Sequence, residues 1–126
     1  MNELLDLKEM VRRHRQGEDP FDLAIEKWVR IRDFLLKKAD PEQYREAFQC
    51  GSSKIIFCLD YKDHCPFCPL ERICFDSQSL FYQIMRSLQV YSLAGAFLPR
   101  EPLLNLIDTY IRDLNGYRNE WLRKSH

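Results

Sequence analysis

The chain lacks most of the features that commonly announce a function. No stretch approaches the roughly 18 apolar residues that a membrane-spanning helix requires. Charge of one sign is missing too, because 19 Lys and Arg balance 19 Asp and Glu. A protein that lives on phosphate contacts shows a basic excess or a basic stripe, so net charge gives no support to general nucleic-acid binding. Glycine is scarce, 4 in 126 residues, and none sits in a Gly-rich phosphate loop. Neither a Ser/His/Asp order nor H-E-x-x-H is present, and the carboxylates read as ordinary helix-surface charges. The sequence therefore nominates no catalytic residue. The start, Met1-Asn2-Glu3-Leu4-Leu5-Asp6, has acids where a secretory signal carries basic residues. The expectation is a soluble, cytoplasmic protein.

What is present suits a single all-α domain over residues 1–126. Apolar residues make up 45% and charged residues 30%, enough to bury a core under a well-solvated surface. Leu4, Leu7, Val11 and His14 predict a first helix over about residues 2–16, ended by Gly17. Asp19-Pro20 is a helix start, with Asp as cap and Pro in the first turn. Phe21, Ala24, Ile25, Trp28, Val29, Leu35 and Leu36 carry that helix to about residue 38. Asp40-Pro41 repeats the signal for a helix that Cys50-Gly51-Ser52-Ser53 is expected to break. The apolar run at 54–59 is a strand or a buried extended segment, and the stretch 59–76 reads as a loop. Ser77 is a candidate cap for a helix carrying Leu80, Ile84, Leu88 and Tyr91, with Gly95 placed to end it. Pro99 and Pro102 bracket a linker. The last helix carries Leu103, Ile107, Tyr110, Leu114, Tyr117 and Trp121 in an a/d seam, which serves packing on a neighbouring helix or on a partner chain. The result is a four- to five-helix bundle interrupted by one cysteine loop.

Four of the five cysteines lie in that loop, in the pattern Cys58-x6-Cys65-x2-Cys68-x5-Cys74. In a reducing compartment, clustered cysteines point to metal or catalysis more than to disulfides. Thiolate is the soft ligand that zinc and iron–sulfur clusters both prefer. Zinc ribbons usually present two C-x2-C knuckles. Here one knuckle, Cys65/Cys68, is flanked by the isolated Cys58 and Cys74, which suits the four separate iron corners of a cubane. Cys65-Pro66 and Cys68-Pro69 are similar to the Cys-Pro pairing of bacterial ferredoxin runs. A [4Fe–4S] cluster is the first reading of the occupant, and Zn²⁺ is the alternative.

This loop resembles the iron–sulfur loop of the endonuclease III and adenine glycosylase family of DNA repair enzymes, and Cys68-Pro69-Leu70 is similar to the knuckle of some members. The resemblance spans about 17 of the 126 residues. It implies that Cys58, Cys65, Cys68 and Cys74 each ligate a [4Fe–4S] cluster. It does not extend to glycosylase activity, because the chain has no helix-hairpin-helix glycine motif and no matching Lys or Asp catalytic constellation. Between the first two cysteines that family is basic, whereas this chain reads Leu59-Asp60-Tyr61-Lys62-Asp63-His64.

Further candidates each carry two readings. Cys50 is an alternative ligand or a persulfide or redox partner on one reading, and a small buried apolar residue on the other. His64 could replace a thiolate in a Cys3His zinc site, or stand as a solvated loop histidine. Arg12-Arg13-His14-Arg15 complements a helix C-terminus or contacts phosphate, and Arg118, Arg123 and Lys124 repeat the pattern. Tyr82, Tyr91, Phe97, Tyr110 and Tyr117 could stack on bases or belong to a core or interface. The expected protein is a small iron–sulfur protein with a structural or redox centre. The alternatives are a zinc-stapled interaction module and an electron-transfer or nucleic-acid-processing accessory. No membrane partner is expected, and nucleic acid is disfavoured. A protein partner or self-association would use the last helix.

Overall fold

Two Asp-Pro steps set the first half of the fold. In a computed structural model of the chain, residues 3–37, 40–52 and 79–124 are described. Helix α1 spans Leu7–Arg15. It starts later than its apolar spacing predicts because the Asp6 carboxylate caps it, accepting from Glu9 N–H at 2.8 Å. Its end at Gly17 is as expected, with φ +101°, where a side chain would be strained. Helix α2 spans Pro20–Lys37, and Asp19 Oδ1 accepts from the N–H groups of Phe21 at 2.7 Å and Asp22 at 3.3 Å. Asp40 does the same for helix α3, Pro41–Ser52, accepting from Glu42 and Gln43. Caps of this kind are worth about 1 kcal/mol each.

Of the expected break at Cys50-Gly51-Ser52-Ser53, the first three residues belong to α3, whose described extent ends at Ser52, and Ser53 lies outside the described residues. Gly51 is there for space. A Cβ at that position would lie 3.0 Å from Trp28 Cη2 and 3.2 Å from Met85 Sδ. Helix α4 spans Leu80–Ala94 and is capped by Ser79 rather than Ser77, which lies outside the described residues. It runs into a 3₁₀ turn, Gly95–Phe97. The sequence places Gly95 as the helix stop, and α4 does end at Ala94 with Gly95 as its C-cap, although its φ of −60° is right-handed. Its missing side chain matters instead: a Cβ would stand 2.6 Å from Tyr44 Cε2. Helix α5 spans Glu101–Lys124. Pro102 lies inside its first turn, where a missing N–H costs little.

The five helices described make an all-α bundle. Four of them close a ring: α2 packs on α3, α3 on α4, α4 on α5 and α5 back on α2, with α1 against α2. Neighbours run antiparallel. Gly51, late in α3, meets Met85, early in α4, while Tyr44, early in α3, meets Gly95 and, at 5.1 Å between ring centroids, Tyr91. Arg118, late in α5, pairs with Asp22, early in α2, at 2.8 Å, and Arg32 with Asp108 at 3.0 Å. The α4–α5 corner is fixed by Tyr91, whose hydroxyl donates to Pro99 O at 2.7 Å. Beside it, Arg100 donates to the last carbonyls of α2, Leu35 O at 3.0 Å and Leu36 O at 3.2 Å.

The core holds Phe21, Trp28, Ile31 and Leu35 of α2, Tyr44 and Ala47 of α3, and Ile84, Leu88 and Tyr91 of α4. The α5 seam supplies Leu103, Ile107, Tyr110 and Leu114, all buried, with Tyr117 packed against them. Its a/d spacing therefore serves the chain's own neighbouring helices, and only Trp121, 39% exposed, reaches well into solvent. A second small cluster, Leu5, Met10 and Leu23, seats α1 on α2.

Two glycine substitutions are expected to act with opposite sign. Gly95→Ala drives a methyl into the buried Tyr44 ring and costs about 1–3 kcal/mol. Gly116→Ala, inside α5 with nothing within 4 Å, gains about 0.5–1 kcal/mol from helix propensity. Urea unfolding of both variants checks this, and a neutral Gly95→Ala would overturn the close-packing account.

Candidate metal centre

The four expected ligands, Cys58, Cys65, Cys68 and Cys74, lie outside the described residues, as do His64 and the apolar run at 54–59. The fold does define where their segment is tethered. Because α3 and α4 are antiparallel, Ser52 and Ser79 stand at the same end of the bundle. The chain that carries the four cysteines leaves and re-enters the helices there. The core near that end is aromatic. Trp28 meets Tyr110 edge-on at 5.2 Å and Phe81 at 6.3 Å, and Phe81 lies 6.2 Å from Tyr110. Such pairs add about 0.5–1.5 kcal/mol beyond area burial.

Cys50 is described, half-buried on α3, with its Sγ 3.6 Å from Leu5 O. Burial pushes its thiol above its ordinary range, while the charge of Lys27 opposes the shift. Cys50 packs partly buried against the core, which fits the role of a small core residue. Lys27 itself was not singled out by sequence reasoning, yet it is fully buried. The signal was present: position 27 falls on the inner stripe of α2 with Leu23, Ala24, Trp28 and Ile31, where periodicity predicts an apolar side chain.

The basic run on α1 is largely neutralised within the chain. Arg12 pairs with Glu9. Arg13 forks between two carboxylates, 2.5 and 2.6 Å from Glu18 and 2.5 and 2.9 Å from Glu26. Glu26 also holds Arg30 at 2.8 Å. His14 Nδ1 is 3.0 Å from Glu18 O. Lys8, Arg12, Arg15 and Arg30 line an open groove together with Leu4, Leu7 and Val11, and Asp6 and Glu9 line it too. The pairing of Arg12 with Glu9 and of Arg13 and Arg30 with Glu26, with the helix-end position of the run, fits local pairing better than phosphate contact. Of the aromatics considered for base stacking, Tyr91 and Tyr110 are buried and Tyr117 packs on the core, while Tyr82 and Phe97 are exposed. Among the described residues, no three His, Cys, Asp or Glu side chains converge on a common point that could hold a metal. No described helix is long and apolar enough to cross a membrane.

No protein family, curated protein or solved structure matches this chain. The class is thus architectural: among the described residues, an antiparallel four-helix bundle with one accessory helix, the four cysteines falling in sequence between its second and third bundle helices.

Arg13 gives the molecule an acid-sensitive latch between α1 and α2. Its hydrogen bonds hold the Glu18 and Glu26 carboxyls below their ordinary value of 4.5. A lowered folded-state pKa contributes stability that is fully present above the unfolded value and is lost as pH falls through the folded one. Thermal stability is therefore expected to drop below about pH 4.5, with Arg13→Gln lowering the midpoint at neutral pH and flattening the acid limb. Melts followed by circular dichroism across that range check this; identical acid slopes for the two proteins would remove the role assigned to Arg13.

Proposed function

We propose that Cys58, Cys65, Cys68 and Cys74 hold one [4Fe–4S] cluster, and that the chain is a small iron–sulfur protein with its cluster in a structural or redox role. The observation that carries this reading is the spacing C-x6-C-x2-C-x5-C, with its single knuckle and two isolated thiols. Two features of the fold support it. Both ends of the cysteine segment are tethered at one end of the bundle, which shortens the search that four ligands must make to converge. The fifth cysteine, Cys50, is drawn into the core with a raised thiol pKa, which leaves a donor set of four soft anionic ligands. When bound, such a cluster supplies one-electron chemistry at a potential set by its surroundings. Four thiolates saturate its corners, so the donor set favours structure or electron transfer over Lewis-acid catalysis.

Anaerobic purification followed by iron, sulfide and zinc quantification tests the proposal. It expects a brown protein with roughly four iron and four sulfide per chain. A colourless protein with about one zinc per chain would replace it with the zinc-stapled interaction module.

Ligand variants separate the cysteines. Cys65→Ala is expected to lose the metal and to lower the melting temperature, because binding energy is folding energy in a segment organised by its metal. Cys50→Ser should retain the full metal content. Retention of metal by Cys65→Ala, or its loss from Cys50→Ser, would overturn the assignment.

A further inference from the structure

The outer face of α4 is built unlike a solvated helix surface. Ile84, Leu88 and Tyr91 point it into the core, and the opposite face carries Val90, Leu93 and, on the 3₁₀ turn, Phe97. Leu93 is 86% exposed, Phe97 89% and Val90 49%. At 3.6 residues per turn Arg86, Val90 and Leu93 fall within roughly 60° of the circumference of α4, and the exposed Phe97 extends the apolar patch from the 3₁₀ turn beyond the helix end. The spacing of four and three from Arg86 through Val90 to Leu93 is that of a packing seam. Over its 15 residues α4 holds one charged side chain, Arg86, and no carboxylate. A helix that is apolar on two opposite faces is one that expects cover on both.

We propose that this face is the interface of a homodimer, formed by α4 against α4 of a second copy in antiparallel two-fold packing. The stripe is self-complementary. Positions 90 and 93 are symmetric about a point between residues 91 and 92, and so are positions 86 and 97. An antiparallel two-fold axis at that point sets Val90 on Leu93 of the other copy, twice. It also sets each Arg86 guanidinium against the Phe97 ring of the other copy, a cation–π arrangement, and keeps the two arginines apart. The same axis meets no like-charge conflict along the stripe, because no other charge is there. Isologous interfaces require this property: one patch complementary to itself. The three apolar side chains and the Arg86 stem expose on the order of 500 Å² per copy, so pairing removes on the order of 1,000 Å², the lower bound for a specific interface. The face lies toward the end of α4 away from Ser79.

Sedimentation of the full chain as purified, at concentrations up to about 0.5 mM, tests the proposal. The expected mass rises from 15.2 kDa towards twice that value. Leu93→Glu and Val90→Lys should each weaken association by roughly 30-fold or more, with helix content unchanged because both side chains are on the surface. Mixing the two variants is the decisive step. The antiparallel register puts the carboxylate introduced at position 93 of one chain against the ammonium introduced at position 90 of the other. A dimer of mixed composition is thereby restored. A parent chain that stays monomeric, a dimer indifferent to Leu93→Glu, or a mixture that fails to pair would each overturn the proposal.

Discussion

The close approach of α3 and α4 is the constraint on which the rest of the molecule depends. Two glycines permit it, one near each end of the pair. Gly51 lets α3 settle on Trp28 and Met85, and Gly95 lets the end of α4 settle on the Tyr44 ring. With those contacts made, the helices run antiparallel, the Tyr91 hydroxyl reaches Pro99 and turns the chain into α5, and Arg100 arrives at the open carbonyls of α2. A Cβ at Gly95 would drive into the Tyr44 ring and strain the corner beyond it, whereas one at Gly51 would ask Trp28 and Met85 to give by a few tenths of an ångström.

The same geometry decides what the bundle does for the cysteine segment. Among the described residues no group of side chains converges to hold a metal, and the inward side chains of the four antiparallel helices fill a core. What they provide is a fixed pair of attachment points, so that a segment rich in thiols begins and ends in one place. Helix packing holds both attachment points at one end of the bundle, so part of the entropy of closing the segment is met by folding. Cys50, half-buried on α3, has its thiol pushed up by burial, while the charge of Lys27 acts in the opposite direction.

Charge is arranged by the same economy of local pairing. The cations of α1 that read as a possible phosphate patch are mostly engaged by carboxylates on α1, on α2 and in the turn between them, and the pairs between α2 and α5 mark antiparallel alignment. The exposed pairs each contribute little; Arg13, shared between two carboxylates and largely covered, contributes more because its removal leaves two anions facing one another. By contrast the outer face of α4 has almost no charge to arrange, which sets it apart from the other described helices.

By itself, the sequence determined that the chain is helical, where α2 and α3 begin, that Gly17 ends α1, and which stripe of α5 is buried. These follow from local rules: an Asp carboxylate caps the N–H groups next to it, a left-handed turn wants glycine, and a 3.6-residue period has one inward face. It also carried the whole case for the metal, because ligand spacing is a property of the chain. Only the tertiary structure decided why Gly51 and Gly95 are glycines, since each is dictated by an aromatic ring brought from elsewhere in the chain. It likewise showed that the α5 seam is filled from within, that Lys27 is buried in an otherwise apolar stripe, and that α4 has a second apolar face left open. Periodicity marks which residues share a face; what stands opposite that face depends on contacts between distant parts of the chain, and these exist only once it has folded.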